Sequence, residues 1–83
     1  MQKTFARPPS SASMKTLGDN VQRLRTAQNL SKSRFCLMAH ISRPFLNRIE
    51  DGQAHIKLNY LDRIADALGT TAAQLITPQD PRG

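Results

Sequence analysis

The stretch Ser42–Gly52, SRPFLNRIEDG, interleaves two arginines, a proline and an asparagine with three large apolar residues. Wound as a helix, with successive residues about 100° apart around the axis, it separates these two chemistries. Phe45, Leu46 and Ile49 share one arc, and Arg43, Pro44, Asn47 and Arg48 crowd another. The spacing therefore predicts a short helix with one face in a core and a basic, hydrogen-bonding face turned outward. Ser42 is a natural cap, Pro44 falls in the first turn where a missing N–H costs little, and Gly52 ends the segment.

Working outward, Ser31 caps a preceding helix that presents Phe35, Cys36 and Ala39 inward and ends at His40. Only Ile41 and the cap Ser42 separate the two helices. Upstream, Leu17, Val21 and Leu24 repeat at i, i+4, i+7, predicting a first helix from Leu17 to Gln28 with Thr16 as cap and Asn29 in the left-handed turn that stops it. Downstream, Leu58, Leu61, Ile64, Ala65 and Leu68 line one side of a fourth helix, leaving Asn59, Asp62, Arg63 and Asp66 to water. Gly69 closes that helix, and Thr71–Gln74 fits a capping box that opens a short fifth one carrying Leu75 and Ile76. No stretch alternates long enough to suggest a strand.

Eighty-three residues allow one small domain. Residues 1–15, with Pro8, Pro9 and three serines, read as a flexible basic arm, in which Met14 stands as an alternative start. Residues 16–77 form the folded domain, and 78–83 a disordered tail. Twelve Lys and Arg against six Asp and Glu leave a net charge of +6, which favours a polyanionic partner. The surplus is concentrated between Lys15 and Arg48, where Asp19 is the sole acid. With a single cysteine, no internal disulfide is available, and His40 and His55 make no zinc pattern. Neither a membrane span nor a secretion signal is present in the pattern, so the expected location is cytoplasmic. No nucleophile–base set, carboxylate pair or phosphate-binding glycine loop is found, and the four glycines, Gly18 among them, read as helix beginnings or ends, so the chain is not expected to be an enzyme or to need a cofactor.

Two short helices joined by a tight turn, the second amphipathic and basic, meet the geometric needs of a helix-turn-helix, whose second helix fits a major groove about 12 Å wide. Leu24-Arg25 ahead of Leu30-Ser31, ISR..L.RIE.G over Ile41–Gly52, and L..IA.ALG over Leu61–Gly69 together resemble the Cro/C1-type (XRE) helix-turn-helix family, over Leu17 to Ile76. The resemblance implies an all-α, compact five-helix, lambda-repressor-like DNA-binding domain with the helix-turn-helix at helices two and three. It implies that Ser42, Arg43, Pro44, Asn47 and Arg48 face the major groove of double-stranded DNA, with Lys32 at phosphate. It further implies that Arg25 pairs with Glu50, and that the chain regulates transcription, most simply as a homodimeric repressor.

Some positions depart from the family pattern. His40 replaces the common turn glycine, Lys32 stands where glutamine is frequent, and Leu37 and Met38 occupy sites that are usually polar. The apolar pair motivates an alternative reading, in which the chain is an antitoxin or other protein-interaction module and DNA binding is secondary. Leu75 and Ile76 cap the small core or serve a dimer interface. The arm cations Lys3, Arg7 and Lys15 read first as part of a disordered leftover, with contact to the DNA backbone or minor groove as the alternative.

Overall fold

The computed structural model describes residues 12–79, and among them the only regular elements are five helices. These are α1 (Ala12–Ala27), α2 (Lys32–Ala39), α3 (Arg43–Glu50), α4 (Leu58–Leu68) and α5 (Ala72–Leu75). The fold is thus all-α, compact and five-helical, of the lambda-repressor type. The expected start of the first helix is corrected: α1 begins at Ala12, so Thr16 lies inside it and residues 12–15 of the expected arm are helical. Arm residues 1–11, including Lys3 and Arg7, and tail residues 80–83 lie outside the described residues.

Capping chemistry sets most boundaries. The Ser31 hydroxyl accepts from the Arg34 N–H at 3.1 Å and Ser42 from the Phe45 N–H at 3.2 Å, so each hydroxyl satisfies an orphan donor of its helix. Between the two, His40 takes the left-handed conformation (φ 58°, ψ 50°), and the Ile41 N–H returns to the Cys36 carbonyl at 3.1 Å. Asn29 does the same at the end of α1 (φ 57°). Thr71 caps α5 through the Gln74 N–H at 3.1 Å, but the capping box is only half made. The Gln74 carboxamide oxygen faces the Thr70 hydroxyl at 3.3 Å instead of the Thr71 backbone.

Every helix contributes to one core: Leu17 and Val21 from α1, Phe35, Cys36 and Ala39 from α2, Leu46 and Ile49 from α3, Leu61, Ile64, Ala65 and Leu68 from α4, and Leu75 from α5. Burial pushes the Cys36 thiol up from its usual range, which keeps it neutral inside this core. Leu75 is fully buried, leaving Ile76 as the exposed member of that pair. The expectation that Leu58 joins the core is overturned: it sits in the first turn of α4, before the helix meets its neighbours, and is 76% exposed.

Three side chains close helix ends that belong to other elements. Arg63, expected in water, reaches back from α4 so that its Nε donates to the Ala39 carbonyl at 3.2 Å and its Nη2 to the His40 carbonyl. Its guanidinium also stacks 4.6 Å from the Tyr60 ring centroid, and Tyr60 meets Phe45 of α3 edge-on at 5.6 Å. Gln28 Nε2 donates to the Leu68 carbonyl at 2.9 Å, the end of α4. Buried Asn20 donates through Nδ2 to the carbonyls of Leu75 at 2.8 Å and Thr77 at 3.0 Å, the end of α5. Carbonyls that a helix leaves unpaired are thereby satisfied by side chains of another element.

Gly18 is not at a helix end, as its position after Leu17 had suggested, but inside α1, where it passes over the end of α3. A methyl carbon there would overlap the Ile49 carbonyl oxygen and come within 3.1 Å of the Glu50 carbonyl oxygen. Because the obstruction is backbone, it cannot swing aside. Gly18→Ala is therefore expected to cost about 2–3 kcal/mol in urea unfolding, despite the roughly 1 kcal/mol by which alanine favours an isolated helix. A neutral or stabilising result would show that α1 and α3 do not approach so closely.

Candidate nucleic-acid interface

The Leu46 and Ile49 side chains are fully buried, which fixes how α3 is turned about its own axis. Arg43, Pro44, Asn47 and Arg48 then emerge together as exposed residues on its far side, and Ser42 is exposed at its start. The Arg48 side chain makes no hydrogen bond among the described residues. Arg43 Nη1 donates to the Ser33 hydroxyl at 2.8 Å, and Lys32 Nζ donates to Asn47 Oδ1 at 2.9 Å. Both contacts run from the outer face of α3 to the first turn of α2, so Lys32, Arg43 and Asn47 sit on one surface. Neither Ser33 nor the Lys32–Asn47 bond is readable from helical periodicity, which places residues on a face but does not dock one helix beside another.

Arg25 and Glu50 meet beneath this surface. Arg25 Nε lies 2.7 Å from Glu50 Oε2 and Nη2 lies 3.2 Å from Oε1, a two-pronged pair, while Nη1 donates to the Leu30 carbonyl at 2.9 Å. The side chains are only 10% and 5% exposed. With the remaining polar atoms satisfied, the pair braces α1 and the α1–α2 turn against the end of α3. It also neutralises the one acid on α3, so the outward face of that helix carries the charges of Arg43 and Arg48 uncompensated. Lys15 is spent differently, in an exposed 3.5 Å pair with Asp19 within α1.

Beside the start of α3 lies an open cleft of about 380 Å³, lined by His40, Ser42, Phe45, His55, Lys57 and Tyr60 among others. Lys57 adds a cation next to the α3 surface that sequence reading passed over, since it falls in the irregular segment before α4. The described residues contain no group of three or more His, Cys, Asp or Glu able to hold a metal ion. No helix among them is long and apolar enough to cross a membrane. The site is a projecting, positively charged surface, suited to a large anionic partner with a concave groove.

Comparison with known proteins agrees with this geometry. The helix-turn-helix (HTH_3) family model matches residues 21–75, which include all of α2, α3 and α4. Among solved structures, the restriction-modification controller protein C.AhdI from Aeromonas hydrophila is 26% identical with a TM-score of 0.72, the match covering 78% of this chain and 98% of that one. The hypothetical transcription factor NHTF from Neisseria, 21% identical, shares the fold with a TM-score of 0.78 over 99% of this chain and 93% of its own. The competence regulator ComR from Streptococcus vestibularis is 31% identical over 77% of this chain, which corresponds to 22% of ComR, with a TM-score of 0.70. No curated protein matches the chain. A family model spanning well over half of the sequence, on a fold with this helix pair and this basic face, shows that the chain belongs to the Cro/C1-type (XRE) helix-turn-helix family of DNA-binding transcriptional regulators.

Proposed function

We propose that the protein is a sequence-specific repressor that binds double-stranded DNA as a dimer and occludes a promoter. The observation that carries this reading is the disposition of α3: Leu46 and Ile49 anchor it, and Arg43, Asn47 and Arg48 project from the opposite side. Arg43 and Arg48 each have a planar fork of donors that matches O6 and N7 of guanine, and Pro44 offers an apolar contact suited to a thymine methyl. Ser42, already spent as an acceptor in its cap, still has a hydroxyl proton to give a base or phosphate. Lys32 stands at the first turn of α2, where a cation and the positive end of the helix both favour phosphate.

Dimerisation is supported by the exposed apolar surface away from α3. Ile76 is 44% exposed and borders a groove that also includes Met14, Leu17, Ala54 and Ile56. Pairing two copies there would double the groove-reading surface and match two half-sites one helical turn apart. The restriction-modification controller C.AhdI, whose whole length this chain nearly covers, makes a comparable small regulator a reasonable model for the role. A second reading rests on Leu37, 78% exposed, and Met38, 44% exposed: an antitoxin-like module using this α2 patch on a protein partner.

Under the DNA reading, Arg43→Ala weakens the preferred duplex by about 1–3 kcal/mol and relaxes base choice at one position. Equal loss on every duplex would make Arg43 a phosphate contact. Neutralising about five phosphates per subunit gives log K against log salt a slope near −4.5 per subunit, and a flat response would count against DNA as the partner. Selection from a random duplex pool is expected to return a two-fold symmetric consensus with half-site centres about 10 bp apart. An unsymmetric consensus bound by one protomer would remove the dimer.

A further inference from the structure

The exposed hydrogen bond from Lys32 Nζ to Asn47 Oδ1, 2.9 Å, has a chemical consequence for what Asn47 can read. An ammonium carries only donors, so the atom that it meets must be the carboxamide oxygen. That fixes the flip of the Asn47 amide: the oxygen is held toward α2 and the amino group is left to the outer face. An unassisted asparagine reads adenine best, because it accepts from N6 and donates to N7 at once. Here the accepting half is already bonded to a cation. Its second lone pair remains, but it is polarised toward Lys32, and an adenine N6 amino group brought to it would also approach the ammonium, donor against donor.

Together, the remaining ammonium protons and the Asn47 amino group offer donors almost exclusively. Among the major-groove edges, guanine presents two acceptors, O6 and N7, whereas adenine pairs one acceptor with a donor and cytosine offers a donor alone. We infer that Lys32, in place of the phosphate contact that its position at the start of α2 favours, acts with Asn47 as one donor-rich reading unit that selects guanine over adenine, so that a residue of α2 sets base choice. Arg43 is held in a similar way by Ser33, yet it keeps most of its donor fork, so its own preference is not redirected. This inference rests on the proposal that α3 enters the major groove, and it makes a separate demand on one base pair.

The test is selection from a random duplex pool by the full chain and three variants: Asn47→Ala, Lys32→Met and the double variant. Lys32→Met keeps most of the apolar stem and removes the charge. Because Asn47 is exposed and Lys32 is only half-buried, thermal melts are expected to coincide with that of the parent. Asn47→Ala identifies the position that loses discrimination. There, the parent is expected to prefer guanine, Lys32→Met to prefer adenine, and the ratio between them to shift by about tenfold or more. In the Asn47→Ala background, Lys32→Met is expected to shift nothing. A parent that selects adenine at that position overturns the inference while leaving the groove reading intact. So does a Lys32→Met protein that keeps the parental base and only lowers the salt slope by about one, because Lys32 would then be a phosphate contact. A parent that selects no consensus overturns the groove reading itself, and this inference with it.

Discussion

Where α1 crosses the end of α3 there is no room for a side chain, and the rest of the molecule depends on that crossing. Gly18 brings the α1 backbone onto the Ile49 and Glu50 carbonyls, and about two turns later Arg25 closes a two-pronged pair on Glu50. The close approach and the buried ion pair act on the same end of the same helix. Neither contact would orient an eight-residue helix alone, since so short a segment has little stability of its own. Together with Leu46 and Ile49 below, they leave α3 a single rotation about its axis. Its arginines face outward because its other faces are occupied.

A second constraint explains why so small a chain holds five helices in place. Short helices have many ends, and each end leaves carbonyls that cost free energy if buried without a partner. In this fold, Arg63 answers the end of α2, Gln28 the end of α4 and Asn20 the end of α5. Each of these polar contacts crosses between elements, so satisfying the backbone and docking the helices are the same event. The Arg63–Tyr60–Phe45 stack extends that link from the end of α2 to α3, tying the two halves of the helix-turn-helix to α4.

This division also accounts for what could be read in advance. Apolar spacing and caps located α2, α3 and α5 closely, because Ser31, Ser42 and Thr71 act within their own helices, whereas the start of α4, which has no side-chain cap, was poorly marked. The exposed arc of α3 was legible for the same reason: periodicity alone separates Arg43, Asn47 and Arg48 from Leu46 and Ile49. What depended on a neighbouring element was not. Gly18 resembled a boundary glycine, Arg63 a solvated charge and Leu58 a core residue, since sequence does not say what will pack opposite. The early start of α1 was hidden because Met14 is the single large apolar residue in Ala12–Thr16, too little to mark a helical period by itself. The Lys32–Asn47 and Arg43–Ser33 bonds likewise needed the docked pair of helices.

The proposed DNA contact requires that α3 be held at a fixed angle by α1. The most direct measurement is amide chemical-shift mapping of the full chain during titration with its selected duplex at moderate salt. The largest changes are expected at Ser42, Arg43, Asn47 and Arg48 and in the first turn of α2, with Asn20 and Gly18 nearly unmoved. Changes centred on Leu37 and Met38, with α3 silent, would contradict it and turn the molecule's main business toward another protein.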